Sequence, residues 1–414
     1  AARQRHSVTG LTLSQLINQR LAEYQTPRIQ GLPPFIGGLV GYFAYDYAYQ
    51  QLVPDARRLA NPLGLADAEL MRFKTIVAYN HLNGQVTASR ILTRAELPDQ
   101  YEMTRGRLEQ LLQQLCRLSH GGGSAPDFRL TSPFETRFSL AEFIAKVHQT
   151  KNHIVDGDIF QLILSNPQQA TMQGSLLGAA DTLYQNCPSP YQFYFRDHDF
   201  EILGASPETL IQKRGDHLFT YPLAGTRRRG RTPEEDERFA HELQTSPKET
   251  SEHNMLIDLG RNDLGRVSRF GTVRVTKTRA LLKFANVMHL GSTVESAVAP
   301  HLSGMDIIKS LLPAGTLSGA PKVSAMNLIS QLEGQQRGIY GGCLGYFDFD
   351  GDLDFCIGIR LAYRQGSAVV VHSGAGIVAD SIAKQEYQEF QNKARGVINA
   401  LRSASEEGSD AVPS

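Results

Sequence analysis

The sequence predicts a mixed α+β protein in which the strands run antiparallel. One observation is a hairpin pairing residues 74–80 with 85–92 around Leu82, Asn83 and Gly84, where Asn and Gly accept the positive φ of a tight turn. Another is a second hairpin over 191–196 and 200–204, followed late in the chain by a meander of 342–349, 353–363 and 368–373. The third is that segments of helical period with their own start signals lie between these strands. With 414 residues, 41% of them hydrophobic, the chain buries a large core as one big domain or two intimate ones.

In chain order, Leu11, Leu13, Leu16, Ile17 and Leu21 mark a helix over 11–25, and Pro33 and Pro34 stop any helix after it. Residues 35–47, with Gly37, Gly38 and Gly41, read as a strand against which other backbone packs closely. Leu108, Leu111, Leu112 and Leu115 mark a helix ending near Ser119. Residues 120–127 then read as a flexible Gly-rich connection. The expected division is an N-terminal subdomain 1–119, incomplete at its start since residue 1 is not Met, a catalytic region 128–402, and a disordered tail 403–414 rich in Ser, Glu, Gly and Asp.

Ser139 and Glu142 form a capping box for a helix running towards Gly157. The strand 158–165 places Gln161 between Ile159 and Ile163, a polar residue on an apolar face. A strand over 221–226 leads to Arg227, Arg228, Arg229 and Arg231; no aromatic residues interleave them, so they read as a solvated face. Residues 247–260 return to helical period. The segment 313–322 carries Gly315, Thr316, Ser318 and Gly319 before Pro321 at a helix start, without the glycine–lysine spacing of a P-loop, so nucleotide binding is not indicated.

Composition excludes several classes. Lys plus Arg (42) equal Asp plus Glu (42), so no global field attracts nucleic acid or an anionic membrane. The apolar runs are shorter than a membrane span and the start lacks a signal-peptide core, so a cytoplasmic location is expected. Cys116, Cys187, Cys343 and Cys356 have no paired metal spacing.

The chemistry concentrates at 373–393, read as a glycine loop of Gly374, Ala375 and Gly376, then Asp380 or Ser381 capping a helix. Tyr387, Phe390, Ala394, Val397, Ile398 and Leu401 recur at helical spacing and leave Glu386, Glu389 and Lys393 on a neighbouring face. By itself this is either a solvated face with a Glu389–Lys393 pair or half of a site. Glu249 and Glu252 repeat the three-residue spacing, and four carboxylates suit Mg²⁺, a hard cation that takes oxygen ligands. His289 follows the apolar Val287 and Met288 and is either a core histidine or a catalytic one. On 353–363, Asp354, Cys356, Gly358 and Arg360 share a face, where the small residues leave a hollow for a carboxylate on the Arg360 guanidinium.

Together the segments 35–46, 157–165, 188–191, 205–208, 222–230, 248–266, 287–289, 313–326, 338–360 and 373–393 resemble the chorismate-utilising enzymes, with the anthranilate synthase component I branch the nearest. The runs Pro222-Leu-Ala-Gly-Thr-Arg, Asp258-Leu-Gly-Arg-Asn-Asp, Ala314-Gly-Thr-Leu-Ser-Gly-Ala-Pro-Lys and Gly374-Ala-Gly-Ile-Val-Ala-Asp-Ser carry the resemblance. It implies two large antiparallel β-sheets packed together with helices outside, and Mg²⁺-dependent conversion of chorismate and ammonia to anthranilate and pyruvate. Mg²⁺ falls to Glu252 and Glu389, supported by Glu249 and Glu386 directly or through water. Tyr340, Arg360 and the N–H of Gly376 fall to the pyruvyl carboxylate, with Gly374 beside them and Lys393 adding positive charge. Gly225, Thr226 and Thr316 are implied pocket contacts, Glu208 the general acid for the departing hydroxyl, and His289 a proton handler.

Two positions separate relatives. Water-adding members carry a lysine base where Gln161 stands, and aminodeoxychorismate synthases a lysine where this chain has Ala224. Aminodeoxyisochorismate or aminodeoxychorismate formation is the alternative activity, and a catalytically inactive binding subunit the non-enzyme alternative. The resemblance further implies a separate glutamine amidotransferase subunit, component II, compatible with a higher hetero-oligomer. Gly341-Gly-Cys343-Leu-Gly345 matches a glutaminase elbow only superficially, since strand rather than helix is expected to follow it. A tryptophan-binding segment of the family is not found before residue 30, and Cys187 and Gln192 replace its Asn and Met.

Overall fold

The computed structural model describes residues 11–53, 59–118, 126–283 and 287–410. Its first part comprises α1 (Leu13–Ala22), β1 (Gly38–Phe43), α2 (Tyr49–Leu52), β2 (Ala68–Phe73), β3 (Thr75–Asn80), β4 (Gln85–Arg90) and α3 (Leu97–Leu118). α1 starts at a Thr12–Gln15 capping box. β1 ends sooner than expected because the chain turns at Ala44 into a short 3₁₀ turn, Tyr45–Ala48. β3 and β4 form the expected hairpin, with Gly84 at φ +72°. Residues 120–125 of the expected connection lie outside the described residues.

The chain continues through β5 (Phe128–Leu130), β6 (Glu135–Thr136), α4 (Leu140–Val155), β7 (Gln161–Gly174), α5 (Ala180–Asn186), β8 (Tyr191–Asp197) and β9 (Phe200–Ser206). In the α4 capping box, Ser139 N donates to Glu142 Oε2 at 2.8 Å. Next come β10 (Thr209–Arg214), β11 (His217–Thr220), β12 (Leu223–Arg228), α6 (Pro233–Thr245), α7 (Pro247–Gly265), β13 (Arg274–Lys283), β14 (Val287–Ala297) and α8 (Gly304–Leu311). The last third is β15 (Gly319–Ala320), α9 (Lys322–Glu333), β16 (Cys343–Asp348), β17 (Leu353–Ile357), β18 (Leu361–Gln365), β19 (Ala368–Ile377) and α10 (Ala383–Asp410).

Two antiparallel sheets make the frame. One has nine strands in the order β12-β14-β11-β10-β17-β16-β1-β2, with β13 also on β14. The other has eight, β15-β7-β19-β18-β9-β8, with β5 and β6 on β7. Tyr42, Leu344 and Cys356 of the first meet Phe200, Ile202, Tyr363 and Val370 of the second in one buried cluster, so the sheets pack face to face. Met305, Ile308 and Met326 cover the outside of the first from α8 and α9, while Ala394, Val397 and Leu401 of α10 cover the second. This is the expected two-sheet α+β fold with helices outside. β1 and β2 lie in the nine-stranded sheet beside β16, so the chain before residue 119 shares a sheet and a core with the rest. Among the described residues no helix is long and apolar enough to cross a membrane.

Three expectations need correction. The strand expected over 353–363 is two strands in different sheets: β17 ends at Ile357, the chain crosses at Gly358–Arg360, and β18 starts at Leu361. At Gly358 a Cβ would stand 2.2 Å from Ile339 O, and Arg360 takes φ +54°, so alternation along one strand does not orient Arg360. Residues 374–376 are not a loop but part of β19, with Gly374 opposite Ser165 and Gly376 opposite Ile163. The tail is not disordered from 403: α10 runs to Asp410 because Ala404 is buried beside Phe128 and Leu176, and Ser405 Oγ accepts from Leu130 N at 3.0 Å. Residues 411–414 lie outside the described residues.

A candidate active-site cavity

The crossover between sheets makes the site. Where β17 leaves one sheet and β18 enters the other, the start of β7, the end of β19, α7 and α10 surround a cavity of ≈ 520 Å³. Ten of the expected residues line it: Gln161, Glu208, Glu252, Thr316 and Tyr340, and Arg360, Gly374, Gly376, Glu389 and Lys393.

Glu208 sits in the turn between β9 and β10. Its carbonyl accepts from Ile357 N at 2.9 Å, which ties the turn to the end of β17. Burial pushes its carboxyl up to about 7, against the pull of the Thr316 hydroxyl, which donates to Oε1 at 3.1 Å, and of the Lys393 charge. A carboxyl in that range holds a proton at neutral pH and can give it up.

Half-buried Arg360 and buried Tyr340 line the same cavity. Arg360 donates from Nη1 to the Lys393 carbonyl, and burial draws its pKa down, opposed by Cys187 and Tyr340. Burial pushes the Tyr340 phenol up, so it remains an O–H donor. Gly374 leaves room for that hydroxyl: a Cβ there would stand 2.9 Å from Tyr340 Oη. A half-buried guanidinium and a phenol together suit a carboxylate.

The four glutamates divide. Glu252 of α7 and Glu389 of α10 line the cavity. Glu389 Oε1 lies 2.6 Å from Lys393 Nζ, one helical turn on. Glu249 and Glu386 are half-buried and not among the residues lining it. Glu249 Oε1 pairs with Arg227 Nη1 at 3.2 Å, while Glu386 is pushed up by burial, drawn back by Ser381 and raised again by Glu389. Ser381 Oγ also accepts from Val378 N, so it braces the turn before α10 rather than capping the helix.

As a test of fit, the donor set is carboxylate oxygen from two facing helices, the chemistry of a hard divalent ion. Among the described residues no three acids or histidines converge closely enough to enclose a cation alone.

A second group stands apart from the lining. His289 on β14 donates from Nδ1 to the Gly225 carbonyl at 3.0 Å and lies opposite Thr226 in the β12–β14 register. Glu249 packs against the same Gly225, where a Cβ would stand 2.9 Å from Glu249 Oε2. The arginine run is a paired, solvated face: Arg228 Nη2 meets Glu235 at 2.6 Å and Arg229 Nε meets Asp236 at 2.7 Å. Cys343 opens β16 as a buried residue whose thiol burial pushes well up, and strand follows it.

Sequence reasoning missed Lys248 and His372, both in the lining. Lys248 is one turn before Glu252 on α7, so the periodicity that paired the glutamates also placed it. His372 lies two residues before Gly374 on β19, hence on the same face; its ring stacks on Tyr340 at 4.3 Å and its Nε2 meets Ser165 Oγ at 2.9 Å.

Comparison with known proteins gives the family. Residues 2–399 match the family model described as chorismate binding enzyme. The chain is 40% identical over 391 residues to anthranilate synthase component 1 of Neisseria gonorrhoeae, covering 92% of this chain and 78% of that protein. It is 38% identical over 392 residues to the component 1 of Pseudomonas aeruginosa, with the same coverage. The crystal structure of anthranilate synthase component I from Streptococcus pneumoniae superposes with a TM-score of 0.79 at 32% identity, covering 92% of this chain and 85% of that one. Membership of such a family is consistent with a divalent-metal requirement. Motifs, fold and cavity therefore agree: the chain is an enzyme of the chorismate-binding family.

Proposed function

We propose that this chain converts chorismate and ammonia to anthranilate, pyruvate and water, with Mg²⁺ held by Glu252 and Glu389 and supported by Glu249 and Glu386. One observation carries the reading: Glu208, half-buried and with its carboxyl raised to about 7, stands in a cavity with Arg360, Tyr340 and two glutamates. Arg360 and Tyr340 take the pyruvyl carboxylate, with the Gly376 backbone N–H beside them. When bound, Mg²⁺ neutralises and orients the ring carboxylate.

Glu208 gives its proton to the ring hydroxyl, which leaves as water while ammonia bonds to the ring. Thr316 holds Glu208 in place through the 3.1 Å hydrogen bond. Gln161 lines the cavity, and an amide cannot serve as a water-activating base. Loss of pyruvate then requires removal of a ring proton. His289, outside the cavity lining, is assigned to proton handling, and donation from Nδ1 to Gly225 O fixes its ring orientation. Gly225 and Thr226 border this histidine. The ammonia comes from a separate glutamine amidotransferase subunit.

Purified chain with chorismate, MgCl₂ and an ammonium salt should release blue-fluorescent anthranilate together with pyruvate. An aminated product without pyruvate would replace anthranilate with aminodeoxyisochorismate or aminodeoxychorismate, and no conversion would defeat the reading.

A further inference from the structure

Lys393 is paired with one of the two cavity glutamates. Its Nζ lies 2.6 Å from Glu389 Oε1, and both side chains are about half exposed at the cavity. On α7 the facing Glu252 makes no ion pair among the described residues. The backbone of Lys393 is held, because Arg360 donates to its carbonyl. Only the side chain is therefore able to move. Lys393 lines the same cavity as Glu208 and Glu252, and Lys248 lines it from α7.

A divalent ion at Glu389 must share that carboxylate with the ammonium, which holds Oε1. The two cations repel at that separation in a cavity that screens them less than water does. We propose that Lys393 is a resident counter-ion of Glu389 that the divalent ion displaces, so that metal uptake and release of the lysine are one event. The proposal rests on the reading that these acids take a divalent ion. The freed ammonium stays beside Glu208, where an anionic substrate group meets it. Metal and dianionic substrate then bind more tightly together than either does alone.

The test uses metal without chorismate. Mn²⁺ binding to the full chain, followed by calorimetry and by the electron paramagnetic resonance of the free ion, is compared for wild type, Lys393→Met and Lys393→Arg. Lys393→Met should bind Mn²⁺ roughly three- to tenfold more tightly, the range expected on removing a partly exposed ion pair and a nearby like charge. Lys393→Arg, which keeps the pair, should not bind more tightly. The gain should vanish in Lys393→Met combined with Glu389→Gln. An unchanged or weaker affinity in Lys393→Met overturns the proposal. If that variant does not fold by circular dichroism, wild-type chain labelled at lysine Cε decides: Mg²⁺ should shift the Lys393 resonance, and an unmoved resonance rejects the idea. Anthranilate formation is scored separately. Tightened metal binding without anthranilate keeps the lysine and rejects the reaction, and anthranilate with unchanged metal binding does the reverse.

Discussion

The helices α7 and α10 carry the same pattern and use it differently. Each bears two glutamates three residues apart, and on each only one member lines the cavity, Glu252 on α7 and Glu389 on α10. On α7 the other member, Glu249, turns to Arg227; on α10 it is the cavity member that is paired, with Lys393. The anchoring differs as well. α10 buries Phe390, Ala394, Val397 and Leu401, whereas α7 buries His253, Ile257 and Leu264, with His253 Nε2 held by Ser292 Oγ at 2.7 Å. Residues three apart lie about 60° apart around a helix, so one rotation of the helix decides which carboxylate enters a site. Spacing alone nominates both.

The sharpest way to break this comparison is to remove one member at a time. Glu252→Gln and Glu389→Gln should each lower turnover by about a thousandfold or more, roughly 4 kcal/mol of transition-state stabilisation, with the loss read from steady-state anthranilate fluorescence. Retained rates in either variant would end the assignment of that carboxylate. The contrast in anchoring is tested by Phe390→Ala, which opens a cavity between Phe143 and Tyr387. It should cost about 3–5 kcal/mol in urea denaturation.

Glu208 offers a test of the floor between the helices. With its carboxyl at about 7, kcat/KM for chorismate at saturating ammonia should fall as pH rises through that value, because the protonated form donates. Glu208→Gln should lower kcat/KM roughly a hundredfold and abolish that descending limb. The sign for stability is the same: the native state holds this proton where the unfolded state has lost it, so Glu208 weakens the fold progressively as pH rises from its ordinary range to about 7. The smallest effect belongs to the member turned away: Glu249→Gln should cost about tenfold, as an outer partner does, and a loss equal to that of Glu252→Gln would erase the difference between the two.

Much of the framework was legible from local chemistry. The β3–β4 turn at Gly84 and the Ser139–Glu142 box involve residues within a few positions of one another, and both stand where expected. Ten candidate residues meet in one cavity for a different reason, since they were carried by motifs spread over the chain. The errors are non-local. Local pattern does not show that 353–363 changes sheets, because each half looks like a strand wherever it pairs. Nor does composition show that Ala404 and Ser405 find the β5 strand about 275 residues earlier.

By itself the sequence determined the antiparallel α+β class, the Gly84 turn and the Ser139–Glu142 helix start, and the acids available to a site. The tertiary structure alone decided which glutamate of each pair faces the cavity, that Glu208 is buried enough to keep a proton, that His372 stacks on Tyr340, and that Arg360 enters through a crossover with positive φ. The physical reason is range: caps and turns are settled by hydrogen bonds between near neighbours, whereas orientation, burial and charge pairing depend on groups brought together from distant parts of the chain.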